Sequence, residues 1–369
     1  MQIDSYMPVK VICGKDCLLN KGSLISSLGK KCIIITGKSS AVISGALEDA
    51  KKVLTECNIE YIVFNGIEPN PETATCKKAG DMAMKFNADF VLGIGGGSVL
   101  DASKAIAIYA LHTEFKHADI YNRPVPSSHL PVVLVGITAG TGSEVTGVSV
   151  LTHSDTKLKK SISGADCYAD ISFCDFSYSA STDIETRIST ALDAFCHAFE
   201  SYVAESANDL SQLYALKALS IVGRYFIDDR IAASLNQEDY EKLYIASLYA
   251  GLAINISGTC FPHTVGYYLT ENFNVPHGKA CAVFVGDLIE RTKKYCPHKM
   301  EAISECIGTD IQVLEAAIKK HSSIDVSVSE TELTEICKRW ETPVRNFDRT
   351  PGGYCAEDAF RNLRRLLSK

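Results

Sequence analysis

Short runs of β-branched and apolar residues recur through the first half of the chain: VKVICG (9–14), KCIIITG (31–37), IEYIVFNG (59–66), FVLGIGGG (90–97), PVVLVGIT (131–138) and VTGVSVLT (145–152). Between the second and fifth runs lie segments of helical period at about 40–56, 72–86 and 98–111. Strands alternating with helices of this length imply right-handed crossovers and a parallel sheet covered on both faces. The small polar stretch SYSASTDIE (177–185) interrupts the pattern, and no β-like run follows it. Tyr240, Tyr244, Leu248 and Leu252 repeat at helical steps, and similar spacing continues through about 210–227, 279–293, 310–320 and 355–368. The pattern predicts an α/β domain over 1–180 and an all-α domain over 181–369.

Composition narrows the class. A chain of 369 residues, 46% hydrophobic, holds two domains with a sizeable core. The net charge of −7 and the scattered basic residues speak against a nucleic-acid or anionic-membrane surface. MQIDSYMPVKVICG lacks the apolar core of a signal peptide, and no apolar run approaches the ~18 residues of a membrane span. A cytoplasmic location is expected. Fourteen cysteines without a C-x-x-C pair read as reduced thiols, many of them small buried groups.

Two loops carry a phosphate signal. Gly95, Gly96, Gly97 and Ser98 follow an apolar strand and open a helix, whose free N–H groups favour an anion. Ser98 and Asp101 also form an S-x-x-D capping pattern that needs no ligand. The run does not meet G-x-G-x-x-G. A second loop, TAGTGSE (138–144), offers Thr138, Thr141 and Ser143 after another strand, and is not a G-x-S-x-G elbow. Two such loops at strand carboxyl ends favour a ligand crevice.

The metal-binding signal lies further on. TALDAFCHAFESY (190–202) sets Asp193 and His197 four apart on one helix face, and FPHTVGYYLT (261–270) and NVPHGKA (274–280) add His263 and His277. An Asp–His pair at this spacing is more often a solvated ion pair, and a single histidine more often structural. Here three of the four stand in weakly charged Ala/Gly/aromatic-rich segments, where an unpaired ionisable group is costly. One carboxylate and three imidazoles suit Fe(II) or Zn(II) better than Mg or Ca. Cys196, offset by about 100° from His197 around the helix, faces away.

Taken in order, GGGSVLDASK (95–104), TAGTGSE (138–144), ALDAFCHAFESY (191–202), AGLAINISGTCFPH (250–263) and VPHG (275–278) resemble the iron-containing (group III) alcohol dehydrogenase family, with EPNPE (68–72) similar to its Pro-Asn-Pro segment. The resemblance implies the family architecture shared with dehydroquinate synthase: a Rossmann-like parallel sheet that binds dinucleotide, then an all-α metal-binding domain. It maps the metal ligands onto Asp193, His197, His263 and His277. It sets the pyrophosphate on Gly95, Gly96, Gly97 and Ser98, with Asn70, Asp101, Thr138, Thr141 and Ser143 nearby. A lysine of KLKK (157–160), Lys160 or else Lys159, reaches the ribose. Fe(II) is the expected ion, with Zn(II) the alternative on intrinsic affinity.

NAD-preferring members carry an Asp after the strand matched by CIIIT. Here Gly37, Lys38 and Ser39 stand instead, so NADP(H) is expected over NAD(H). Where many members have another histidine, four residues after His263, this chain has Tyr267, which either donates a proton or lines the pocket. The implied reaction interconverts a small primary alcohol and its aldehyde by hydride transfer, in a homodimer. The alternative is a metal- and NAD-dependent lyase similar to dehydroquinate synthase, which typically uses a Glu and two His.

Overall fold

The computed structural model describes residues 3–367. Eight strands and five helices make up the first half: β1 (Lys10–Cys13), α1 (Cys17–Lys21), β2 (Lys31–Thr36), α2 (Ser40–Ile43), α3 (Ala46–Glu56), β3 (Glu60–Phe64), α4 (Thr73–Phe86), β4 (Phe90–Gly95), α5 (Gly97–Leu111), β5 (Val132–Gly136), β6 (Val148–Thr152), β7 (Lys159–Ser163) and β8 (Ile171–Cys174). Six strands form one parallel sheet in the order β1-β8-β5-β4-β2-β3. Alternation along β2 divides its apolar run between two cores. Ile33 and Ile35 join Ala79, Ala83, Ala105 and Ile106 of α4 and α5, whereas Cys32 and Ile34 join Leu18, Ala50 and Leu54 of α1 and α3. That is why the strands read as continuous hydrophobic runs.

The sheet differs from the expected one in two strands. VTGVSVLT yields β6, which pairs antiparallel with β7 in a separate hairpin and not with the sheet. The missing place, between β1 and β5, is taken by β8. ISFC is only four residues long and carries an inward Ser172, whose hydroxyl donates to Glu144 O at 2.8 Å, so it lacks the strong apolar signature. The helix expected over 40–56 is broken at Gly45, which has φ +82°. β3 and β4 flank β2 on opposite sides, so the chain reverses direction across the sheet there. The loops after β2 and β4 stand beside that reversal, the usual ligand position in an open α/β sheet.

The second half is helical: α6 (Ile184–Val203), α7 (Asp209–Ile227), α8 (Gln237–Ser257), α9 (Phe261–Phe273), α10 (His277–Ala282), α11 (Val285–Tyr295), and further helices at Pro297–Ile307, Ile311–Ser322, Glu330–Cys337, Arg345–Asp348 and Ala356–Leu367. Position 368 of the last expected helix lies outside the described residues. No single helix among the described residues is long and apolar enough to cross a membrane.

The chain forms two compact units that do not divide as a simple cut near 180. One comprises Tyr6–Asp183 together with Asn236–Gly251; the other holds Ile184–Leu235 and Leu252 onward, with residues 3–5. Most of α8 therefore belongs with the α/β unit. Tyr244 is fully buried there and donates its hydroxyl to Glu144 Oε1 at 2.7 Å. Gly142, at φ +61°, meets Gly251 so closely that a Cβ on it would lie 2.5 Å from the Gly251 Cα.

A buried lysine fixes the loop after β5. Lys104 on α5 has no exposed surface, and its ammonium donates to Ser143 Oγ (2.8 Å), Thr146 O (2.9 Å) and Val148 O (2.8 Å), with Asp101 Oδ1 at 3.7 Å. Burial lowers the Lys104 pKa and the Asp101 carboxylate opposes that shift. Lys104→Met should leave Asp101 without its cation and lower stability by about 3–5 kcal/mol, read as a reduced midpoint in urea denaturation.

Candidate metal centre and nucleotide loops

Helix α6 is almost wholly buried from Arg187 to Val203, yet it carries Asp193, His197 and Glu200 inside. Such polar groups require partners. Asp193 Oδ1 lies 3.7 Å from His197 Nε2, 3.4 Å from His263 Nε2 and 3.8 Å from His277 Nε2. The four side chains expected from the sequence thus come together at one point. The His197 and His263 rings stack at 4.5 Å between centroids. Donors about 2.1 Å from a tetrahedral metal stand about 3.4 Å apart, so the spacing fits a divalent ion. Asp193 Oδ1 and His263 Nε2 are buried and have no well-aligned hydrogen-bond partner among the described residues, as donors aimed at a cation would be. Burial pushes the Asp193 carboxyl upward, but the surrounding imidazoles outweigh it and hold the group well below the usual carboxylate range.

Local sequence explains the convergence. Pro262 opens α9 at its first turn, where a missing N–H costs nothing, and sets His263 in that turn. Asn274 in the left-handed region ends α9 and turns the chain towards α10, whose first residue is His277. Gly278 then packs directly on α6: a Cβ there would collide with Ser189 O and lie 2.8 Å from Asp193 N. Only glycine lets the start of α10 come close enough to bring His277 to Asp193.

Glu200, which the sequence reading did not single out, holds His263 in place. Its Oε1 lies 2.6 Å from His263 Nδ1, and its Oε2 accepts the Cys260 N–H at 2.8 Å. A buried carboxylate accepting the Nδ1 proton leaves the Nε2 lone pair facing the centre, the usual support for a metal-binding imidazole. The available signal was spacing: Glu200 stands seven residues after Asp193, on the same helix face. Cys281 was also missed; it is buried, four residues after His277. Cys196 is buried outside the donor group formed by Asp193, His263, His277 and Cys281. Tyr267 stacks on the His277 ring at 5.6 Å, which makes it part of the wall beside that imidazole.

The glycine loops form in the α/β unit. Gly96 is the N-cap of α5, so Ser98 already lies inside the helix and the expected S-x-x-D cap does not form. Asp101 instead accepts from Ser143 Oγ (2.6 Å) and Val150 N (2.8 Å), tying α5 to the second loop and to β6. A Cβ on Gly96 would meet Thr138 Oγ1 at 3.1 Å, and one on Gly97 would meet Thr141 Oγ1 at 2.8 Å. The two loops thus share one cradle that larger residues would fill. Asn70, at φ +59°, donates its N–H to Ser98 Oγ at 3.4 Å. Gly37 ends the stretch after β2, with Lys38 and Ser39 exposed behind it.

Of the two candidate lysines, Lys160 lies opposite buried Leu151, its ammonium 5.5 Å from the centre of the Tyr121 ring. Lys159 lies opposite Thr152, whose hydroxyl donates to Asn70 O at 3.1 Å, and its charge acts on Asp101. Lys160 shares its hairpin face with Ser149, whose hydroxyl donates to Asp101 O at 2.7 Å, and Lys159 stands on the opposite face. Glu200→Gln should retain the fold but weaken metal binding by roughly 10–100-fold, read by competition with a chromophoric chelator; unchanged affinity would remove Glu200 from the centre.

Residues 8–176 match the model of the iron-containing alcohol dehydrogenases, and residues 187–336 match the C-terminal model of the same family. The chain is 30% identical over 304 residues to 1,3-propanediol dehydrogenase of Klebsiella pneumoniae, covering 80% of this chain and 77% of that one. An iron-containing alcohol dehydrogenase structure from Thermotoga maritima superposes with a TM-score of 0.91 at 33% identity, covering 99% of both chains. Sulfoacetaldehyde reductase from Bifidobacterium kashiwanohense, solved with NAD+, gives a TM-score of 0.88 at 26% identity over 100% of both chains. Neither the family match nor a set of one Asp and three His favours the lyase alternative. With its parallel sheet, its helical second half and its cluster of one carboxylate and three imidazoles, the chain belongs to the iron-containing alcohol dehydrogenase family of oxidoreductases.

Proposed function

We propose that this chain is an NADP(H)-linked oxidoreductase that interconverts a small primary alcohol and its aldehyde, with Asp193, His197, His263 and His277 holding a divalent metal. The observation that carries this reading is the set of three imidazole nitrogens 3.4–3.8 Å from one carboxylate oxygen. When bound, the metal supplies a Lewis acid that stabilises negative charge on the substrate oxygen. In the oxidative direction the alcohol carbon gives a hydride to the nicotinamide and its oxygen gives up a proton, so one alcohol and one NADP+ yield one aldehyde, one NADPH and one proton.

The chain's own groups orient the reactants. Backbone N–H groups at the start of α5, with its positive dipole end, are suited to the pyrophosphate. Lys104 holds the second loop rigid against it, and Lys160, or else Lys159, is proposed for the ribose. Tyr267 lines the substrate side beside His277 in this reading. Preference for the phosphorylated nucleotide rests on the end of β2, where Gly37 stands in place of a carboxylate and Lys38 and Ser39 are exposed. A carboxylate there would repel a 2′-phosphate, and an ammonium would attract it. The similar reductase solved with NAD+ makes this a property to be tested on this chain. A cytoplasmic location is proposed as well. A homodimer is proposed as the working state.

His263→Ala and Asp193→Ala should each lose both bound metal and turnover with small aldehydes and NADPH; full activity in metal-free protein sinks the reading. Initial rates should give NADPH a higher kcat/KM than NADH. Gly37→Asp should reduce the NADPH value by roughly 10–100-fold through like-charge repulsion while sparing NADH. A higher kcat/KM with NADH in the unmodified enzyme would reverse the assignment of Gly37.

A further inference from the structure

Two guanidinium groups of the helical unit face no carboxylate. Arg291, Arg339, Arg364 and Arg365 each lie against an acidic side chain. Arg345 opens the short helix Arg345–Asp348 and Arg349 is its C-terminal cap, one turn on; neither makes an ion pair among the described residues. Of the N–H donors on the Arg349 guanidinium, only Nη1 has an acceptor there, Asn346 Oδ1 at 3.3 Å. The guanidinium lies against the backbone at Gly258, where a Cβ would collide with its Nη1 and Cζ. Burial lowers the Arg349 pKa, and the like charge of Arg345 lowers it further. A half-buried cation beside a like charge, with most of its donors unspent, is what an oxyanion completes.

An accessible strip within the helical unit joins this pair to the metal centre. The side chains of Asp193, His197 and His263 are 4%, 8% and 4% exposed, whereas that of His277 is 28% exposed, so the centre opens on the His277 side. Tyr267, stacked on the His277 ring, is half-buried, and so is Thr264 one turn before it on the same face of α9. His263, Val265 and Tyr268, on the other faces, are buried. Asn346 Nδ2 donates to Thr264 Oγ1 and to Thr259 Oγ1, both at 3.1 Å, while its Oδ1 holds Arg349. Half-buried polar side chains therefore run from His277 through Tyr267, Thr264 and Asn346 to the arginine pair.

We propose that the substrate alcohol and aldehyde carry an oxyanion, such as a carboxylate, at the end remote from the reacting carbon, and that Arg349 binds it with Arg345 and Asn346 alongside. The proposal rests on the reading that the Asp193 and histidine centre is where the alcohol or aldehyde oxygen reacts. The carbonyl then lies on the His277 side of Tyr267 and the oxyanion beyond Thr264, where a planar guanidinium donates two parallel N–H bonds to it. The competing role, a guanidinium that only braces the turn at Gly258 through Asn346, gives an anionic substrate no advantage over a neutral one of the same length.

Initial rates on the metal-loaded full-length chain, with whichever of NADPH and NADH it turns over faster, separate these roles. The substrates are length-matched pairs: 4-oxobutanoate against butanal, and 5-oxopentanoate against pentanal. In at least one pair the unmodified chain should give the carboxylate a kcat/KM roughly 10–100-fold higher, carried by KM. That ratio should shrink as salt is raised. Arg349→Met should reduce it by a similar factor, Arg349→Lys should recover part of the loss, and Arg345→Gln should reduce it less. If Arg349→Met does not fold, Arg345→Gln and the salt dependence decide. Values for both carboxylates no higher than for their neutral partners overturn the proposal and leave aldehyde reduction standing. A preference that survives every arginine substitution and high salt overturns the assignment to this pair. If none of the four aldehydes is reduced, the proposal falls together with the reading beneath it.

Discussion

An ionised carboxylate inside a helix that water scarcely reaches constrains the whole helical unit. Asp193 is 3% exposed, and an isolated charge at that depth would be strongly unfavourable. The unit answers by converging imidazoles on it from three helices: His197 from the same α6 face, His263 from the first turn of α9 and His277 from the first residue of α10. Each approach depends on a local device already present in the sequence. Pro262 starts α9, Asn274 turns the chain and Gly278 removes the side chain that would hold α10 away. Glu200 extends the arrangement outwards by accepting the Nδ1 proton of His263. The orphaned pair Asp193 Oδ1 and His263 Nε2 is then what a cation would complete, so packing and chemistry meet in the same few atoms.

The α/β unit solves a related problem by different means. Lys104 is buried without exposed surface, but all three ammonium protons have oxygen acceptors and Asp101 provides countercharge. Burying an ion pair adds little stability beyond an apolar packing of the same volume; what it adds is position. Here it fixes Ser143 and the loop from Thr138, which in turn packs on Gly96 and Gly97. Tyr244 contributes from α8 by bonding Glu144 in the same loop. The two glycine loops are thus held by a side-chain network behind them, leaving their own surface to glycine and hydroxyl groups.

Much of this was determined locally by the sequence. The apolar β-runs and helical periods depend only on spacing along the chain, so five of the six sheet strands, and the pairing of Asp193 with His197 on one face, were readable directly. Glycine loops after strands were readable for the same reason, since an absent side chain has the same effect wherever the loop lies. The helical centre also showed its four Asp and His donors, because ionisable groups in apolar segments are conspicuous.

Other features depend on which segments meet, and spacing does not encode that. β8 is too short and too polar at Ser172 to announce itself, and only its neighbours β1 and β5 make it a central strand. α8 has an unremarkable helical repeat, yet its backbone contact with Gly142 and the Tyr244–Glu144 bond assign most of it to the α/β unit. Lys159 and Lys160 stand on opposite faces of a hairpin whose register spacing does not encode, since a slip of one residue exchanges the two faces. The sequence held Glu200 in plain view as well, but only its 2.6 Å approach from α6 to His263 on α9 gives it a place beside the cluster, because such a role is defined by what a side chain reaches in space and not by where it stands in the chain.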